Sequence, residues 1–100
     1  MIPKNIKLSQ TKNNLLISYN NGKYLIINAS FLRASSPSAE NKLHAKNPDP
    51  EKYKNIKIDY IEKIGNYAIK LKFDDGHDTG IYSWQYLHDL GIKFQNYSHP

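Results

Sequence analysis

The residues with the most chemical potential fall in one stretch, FDDGHDTGIYSW (Phe73 to Trp84), which holds three carboxylates and a histidine. Asp74, Asp75, His77 and Asp78 are residue types that ligate zinc or non-haem iron. Their spacing suits neither. A facial triad is built on His-x-Asp plus a distant histidine, whereas His77 and Asp78 are adjacent and diverge on an extended backbone. A calcium loop alternates oxygen ligands and closes on glutamate; this stretch closes on Trp84. Paired carboxylates for acid–base work are the second option. Asp74 and Asp75 stand at a turn, however, where aspartate more often bonds its own backbone than waits as an acid. The chain has no Gly-x-Ser-x-Gly elbow and no P-loop. By residue type alone the favoured reading is a polar turn at Asp75-Gly76, after which Tyr82 and Trp84 pack on the core.

The framework around this stretch is set by periodicity. Ile6 and Leu8 mark a short first strand. The runs Asn14–Tyr19 and Lys23–Asn28 flank Asn20-Asn21-Gly22, and Asn-Gly tolerates the positive φ of a tight turn, which predicts a β-hairpin. Ser30 is the expected N-cap of a short helical turn carrying Phe31 and Leu32. From Ala34 to Asn55 the pattern lapses, and Asn47-Pro-Asp-Pro50 can neither continue a helix nor sit in a central strand. Such spans are in general functional or mobile.

Order returns at Ile56. Residues 56–60 alternate, and so do 67–73, with Ile69, Leu71 and Phe73 inward and Lys70 and Lys72 outward. Gly65-Asn66 turns between these strands, and Asp74-Asp75-Gly76 closes the second. Ser83 is the expected cap of a helix from Trp84 to Leu90, with Gly91 just past its end. Residues 92–100 read as a loosely held tail on a core of about 12–91. Four or five antiparallel strands with short helices predict one α+β domain over residues 1–100, a small antiparallel sheet with short helices.

Composition narrows the function. With no cysteine in 100 residues, disulfides, iron–sulfur ligation and thiol nucleophiles within this chain are excluded. The longest apolar runs, 15–17 and 25–27, fall far short of the ~20 residues that cross a bilayer. The first ten residues lack the apolar core of a signal peptide. A cytoplasmic protein with no membrane partner is expected. Fourteen basic against nine acidic residues give a net charge of +5, which invites nucleic acid as a partner. Thirteen of the basic residues are scattered lysines, and Arg33 is the only arginine. Base recognition leans on arginine and aromatic platforms, so nucleic acid is a disfavoured partner.

The segments Leu32-Arg33, Ser36-Pro37-Ser38-Ala39-Glu40, Gly65-Asn66-Tyr67-Ala68, Asp75-Gly76-His77, Gly80-Ile81-Tyr82 and Tyr86-Leu87 together carry a resemblance. The chain resembles the gamma-butyrobetaine hydroxylase-like N-terminal domain from about Leu15 to Gly91, most weakly over residues 41–55. That family also includes small stand-alone bacterial proteins of unknown function. The resemblance implies a small α+β domain, which in some members binds one zinc through three cysteines and the histidine of Asp-Gly-His. On this chain those positions are Ser36, Ser38, Asn41 and His77. Hydroxyls and an amide are poor zinc ligands, so the resemblance implies a degenerate zinc site, with no metal and no cofactor.

If the family geometry holds, His77 lies beside residues 36–41, joined by hydrogen bonds to Ser36 and Ser38 where metal once sat. Arg33 is expected to pair with Glu40 or Asp75. The alternative is a small-anion site built from Arg33, Ser36, Ser38 and His77, with Pro37 opening a helical turn. The candidate binding residues are thus Arg33, Ser36, Ser38, Glu40, Asn41, Asp75, His77 and Tyr82; no catalytic residue is expected. Relatives are attached to P-loop iron–sulfur carriers as well as to oxygenases, which implies a non-enzymatic accessory module with a protein partner. An iron–sulfur carrier leads, with the loop from Arg33 to His44 as the contact surface. The alternative is a docking or substrate-side component of a 2-oxoglutarate-dependent oxygenase system, whose catalytic domain is separate and larger.

Overall fold

The computed structural model describes residues 2–37 and 50–98. Three strands, β1 (Asn5–Leu8), β2 (Asn14–Ser18) and β3 (Tyr24–Asn28), lead into helix α1 (Ala29–Ala34). After a 3-10 turn at Pro50–Tyr53 come β4 (Ile58–Ile64), β5 (Ala68–Phe73) and β6 (Gly80–Ser83), and then helix α2 (Trp84–Ser98). The strands form two antiparallel meanders, β1-β2-β3 and β4-β5-β6. This is an α+β architecture, as expected. No described helix is long and apolar enough to cross a membrane.

Alternation explains how the meanders share a core. Leu15, Ile17 and Ile27 from the first, and Ile58, Ile69, Leu71 and Phe73 from the second, are buried in one cluster with Phe31, Leu32, Tyr82, Leu87 and Leu90. The β2–β3 hairpin has Ile17 opposite Leu25, and Gly22 takes φ 84° in its turn. Gly76 does the same at φ 90° after β5, where a side chain would be strained. The Ile58 N–H donates to the Lys12 carbonyl at 2.8 Å, tying the start of β4 to the loop between β1 and β2.

Four local expectations are corrected. Among the described residues the strands number six, not four or five, because Gly80–Ser83 pairs with β5, Leu71 opposite Gly80; four residues opening on glycine are too short to show alternation. A register shift between Ile58 and Tyr60 ends the alternation that began at Ile56, and Tyr60 is exposed. A bulge leaves one residue unpaired and bends the strand beyond it. The N-cap of α1 is Asn28, not Ser30: the Asn28 Oδ1 accepts the Ser30 N–H at 2.8 Å, while the Ser30 hydroxyl donates to the Tyr53 carbonyl at 2.7 Å.

The largest difference lies at the C-terminal end. Helix α2 does not stop before Gly91 but runs on to Ser98, so residues 92–98 are helix where a tail was expected. Glycine in a helix costs about 1 kcal/mol relative to alanine, and packing outweighs it. A Cβ at Gly91 would lie 2.5 Å from Leu25 Cδ1, so the missing side chain is what lets α2 approach β3. One turn on, the rings of Phe94 and Phe31 meet at 5.3 Å.

Candidate functional site

The end of β5, the start of β6 and the C-terminal turn of α1 converge on one polar cluster. The Phe73 N–H donates to the His77 carbonyl at 2.9 Å, closing the Asp74–Gly76 turn and turning the imidazole inward. There Ser36 Oγ and His77 Nε2 share a buried hydrogen bond of 2.8 Å, the tautomer of the ring deciding which donates. Gly80 makes room for it, since a Cβ at that position would lie 2.5 Å from Ser36 Oγ.

Asp75 orders the outer side. Its Oδ1 accepts the His77 N–H at 3.0 Å, and its Oδ2 accepts the Arg33 Nε–H at 2.9 Å. Burial alone would raise the Asp75 pKa, but the His77 N–H and the Arg33 guanidinium outweigh it and hold the carboxyl below the usual aspartate value. The buried Arg33 also lays its guanidinium over the Tyr53 ring, 4.5 Å from the centroid, a cation–π contact.

The inner side caps α1. A helix end leaves carbonyls without intrahelical partners, and this one has no glycine cap. The Tyr82 hydroxyl donates to the Leu32 carbonyl and the Tyr86 hydroxyl to the Ser35 carbonyl, each at 2.6 Å. Burial drives the Tyr82 phenol far above its ordinary pKa, partly offset by a hydrogen bond with Ser36. The Ser35 hydroxyl is buried with no partner among the described residues.

Of the candidate residues, Arg33, Ser36, Asp75, His77 and Tyr82 are brought together; Ser38, Glu40 and Asn41 lie outside the described residues. The expected Arg33–Asp75 pair and Ser36–His77 contact are both present. Two donors of the alternative anion site are engaged, Arg33 with Asp75 and the Ser36 N–H with the Arg33 carbonyl. Residue patterns missed Tyr53, Tyr86 and Gly80. Tyr53 sits in the span without periodicity, and Tyr86 reads as an ordinary helix residue. Gly80 was the one visible signal, a glycine opening a strand against a close neighbour.

The donor set among the described residues does not fit zinc. Among the described residues no group of three His, Cys, Asp or Glu side chains could hold a metal ion, and His77 Nε2 already faces a hydroxyl. What the cluster can do is hold three chain segments together through hydrogen bonds.

The family model described as gamma-butyrobetaine hydroxylase-like, N-terminal, matches residues 6–88. A crystal structure of a DUF971-family protein of unknown function from Acidithiobacillus ferrooxidans superposes with TM-score 0.71 at 25% identity, covering 89% of this chain and 91% of that one. A protein solved by NMR is 36% identical at TM-score 0.71, over 97% of this chain and 78% of its own. Another NMR structure is 40% identical at TM-score 0.70, over 96% and 76%. No curated protein matches.

Proposed function

The chain belongs to the gamma-butyrobetaine hydroxylase-like N-terminal family, and from that premise we propose that it is a non-enzymatic binding module that supports a P-loop iron–sulfur carrier by contact. The observation that carries this reading is the buried Ser36–His77 hydrogen bond at 2.8 Å. At the family's metal position the polar groups are engaged with one another. Ser36 bonds His77, His77 and Arg33 bond Asp75, and Tyr82 bonds Leu32. A cluster satisfied in this way rigidifies a scaffold. Ser36 has an imidazole against it, but a nucleophile also needs open space for a reacting atom, and Ser36 is fully buried.

In this reading the zinc site is degenerate and its structural role has passed to hydrogen bonds. The protein acts in the cytoplasm of a bacterial cell. The test is affinity capture with the tagged full chain from its native cell, with identification of the proteins that co-purify. Enrichment of a P-loop iron–sulfur carrier over an untagged control is expected. Recovery of an oxygenase chain in its place would move the protein to the docking role in a 2-oxoglutarate-dependent system, and turnover of a substrate by the purified chain would end the non-enzymatic reading.

A further inference from the structure

An open groove of about 1040 Å³ runs between β3 and α2, away from the polar cluster. The two elements run in the same direction along it. At the head, the Tyr19 and His88 rings meet edge-on at 5.9 Å; next, Leu25 fills the space beside Gly91; beyond, Phe31 meets Phe94.

One wall is the outer edge of the first meander. The Tyr19 N–H donates to the Lys23 carbonyl, and Ser18 then pairs with Tyr24, Ile17 with Leu25 and Leu16 with Ile26. Hydrogen-bonded and non-hydrogen-bonded pairs alternate in an antiparallel ladder. The N–H and C=O groups of Tyr24 and Ile26 therefore point away from β2, and no strand among the described residues pairs with β3 on that side. Such an edge is a template for another strand. Apolar side chains stand on both walls, with Ile26 44% exposed on β3 and Ile92 41% exposed on α2.

The formal charge at the groove is basic: Lys23 borders it and no described aspartate or glutamate does. Tyr19 lines the head of the groove, its hydroxyl buried and with no hydrogen-bond partner among the described residues.

We propose that this groove takes an extended, acidic peptide segment of a protein partner, added as a fourth strand along β3 with apolar side chains against Ile92 and carboxylates on its opposite face toward Lys23. This is strand addition, in which main-chain bonds supply affinity and alternate side chains supply selectivity. It rests on the reading of the chain as a binding module and names the surface and partner chemistry. A second copy of the chain is the poorer occupant, because it would bring a net charge of +5 to an edge that begins with a lysine.

The test uses the full ¹⁵N-labelled chain and two synthetic peptides, one alternating valine with glutamate and one alternating valine with lysine. The glutamate peptide is expected to shift the Tyr24, Ile26, His88 and Ile92 amides, to slow hydrogen exchange at Tyr24 and Ile26, and to bind at least tenfold more tightly than the lysine peptide. Ile26→Pro removes an outward N–H without removing a bond to β2, and should abolish these changes. Should that variant fail to fold, Lys23→Glu at the exposed turn serves instead, and is expected to reverse the peptide preference. Shifts confined to other surfaces, or equal affinity for the two peptides, would overturn the proposal. So would protection of Tyr24 and Ile26 that depends on protein concentration alone, which assigns the edge to a second copy. The iron–sulfur carrier takes no part in this assay, so its failure and a failed capture are distinct outcomes.

Discussion

Gly80 stands directly against Ser36: a Cβ at position 80 would lie 2.5 Å from the Ser36 hydroxyl and 3.1 Å from Tyr82 Cε1. Ser36 is fully buried and bonded to His77, so it has no free space to move into. Gly80→Ala should therefore destabilise the protein by about 1–3 kcal/mol, the usual cost of overpacking, read as a lower urea midpoint at unchanged slope. Adding Ser36→Ala should recover part of that loss, and a strictly additive double mutant would show that the two residues do not meet.

The Arg33–Asp75 pair predicts an acid limb. The Asp75 pKa is lowered in the folded state, so the unfolded state takes up its proton first as the pH falls. The contribution to stability is full above the ordinary aspartate pKa of about 3.9 and is lost as pH falls through the lower folded value. Thermal midpoints measured from about pH 6 downward should drop for the wild type below about pH 4. Asp75→Asn should start lower and flatten that drop; an unchanged acid limb would exclude the pair as its source.

Tyr82 predicts the opposite limb. Its folded pKa is raised above the ordinary 10.0 by burial, so above about pH 10 the unfolded chain loses a proton that the folded chain retains. Stability is full below that pH and falls as it rises. Tyr82→Phe removes the bond to the Leu32 carbonyl and should cost about 1–3 kcal/mol at neutral pH by leaving a buried acceptor unmatched. Its alkaline decline should be shallower than the wild type's, with the remainder carried by Tyr19 and Tyr86, whose pKa values are also raised by burial.

The proposed replacement of a metal site by hydrogen bonds predicts indifference to chelation. Purified protein should hold well under one zinc per chain, and its thermal midpoint should not move with a strong chelator. Stoichiometric zinc whose removal lowers the midpoint would show that residues beyond Ser36 and His77 complete a working site.

Helix α2 past Gly91 is held by Phe94 on Phe31. Phe94 is half-buried, so Phe94→Ala should cost roughly half the 3–5 kcal/mol of a fully buried phenylalanine. Amide exchange should accelerate over 92–96 before it does so over 84–90. Equal protection of both halves in the variant would mean that the contact does not anchor the end.

Much of the fold was legible in the sequence because its signals are local. Asn21-Gly22 between two apolar runs can hardly be anything but a hairpin, and Ile69, Leu71 and Phe73 face inward because side chains alternate along a strand. Ser83 capping α2 through the Tyr86 N–H at 3.1 Å is likewise a property of a few neighbouring residues. The placement of His77 beside Ser36 was reached differently, through the family pattern that aligns both with zinc ligands. No periodicity relates two residues 41 positions apart.

Contacts between distant segments account for the rest. Asn28 and Ser30 are both good caps, and the choice fell to Asn28 because the Tyr53 carbonyl takes the Ser30 hydroxyl. Gly91 reads as a helix stop, yet Leu25 occupies the space a side chain would have filled. Gly80–Ser83 became a strand only because β5 offered it a partner. Residue types and spacing thus specified the strands, turns and caps whose energetics lie within a few positions. Packing across the fold settled which cap is used, where α2 ends and what surrounds His77, since those depend on the free energy of contacts that the chain order does not contain.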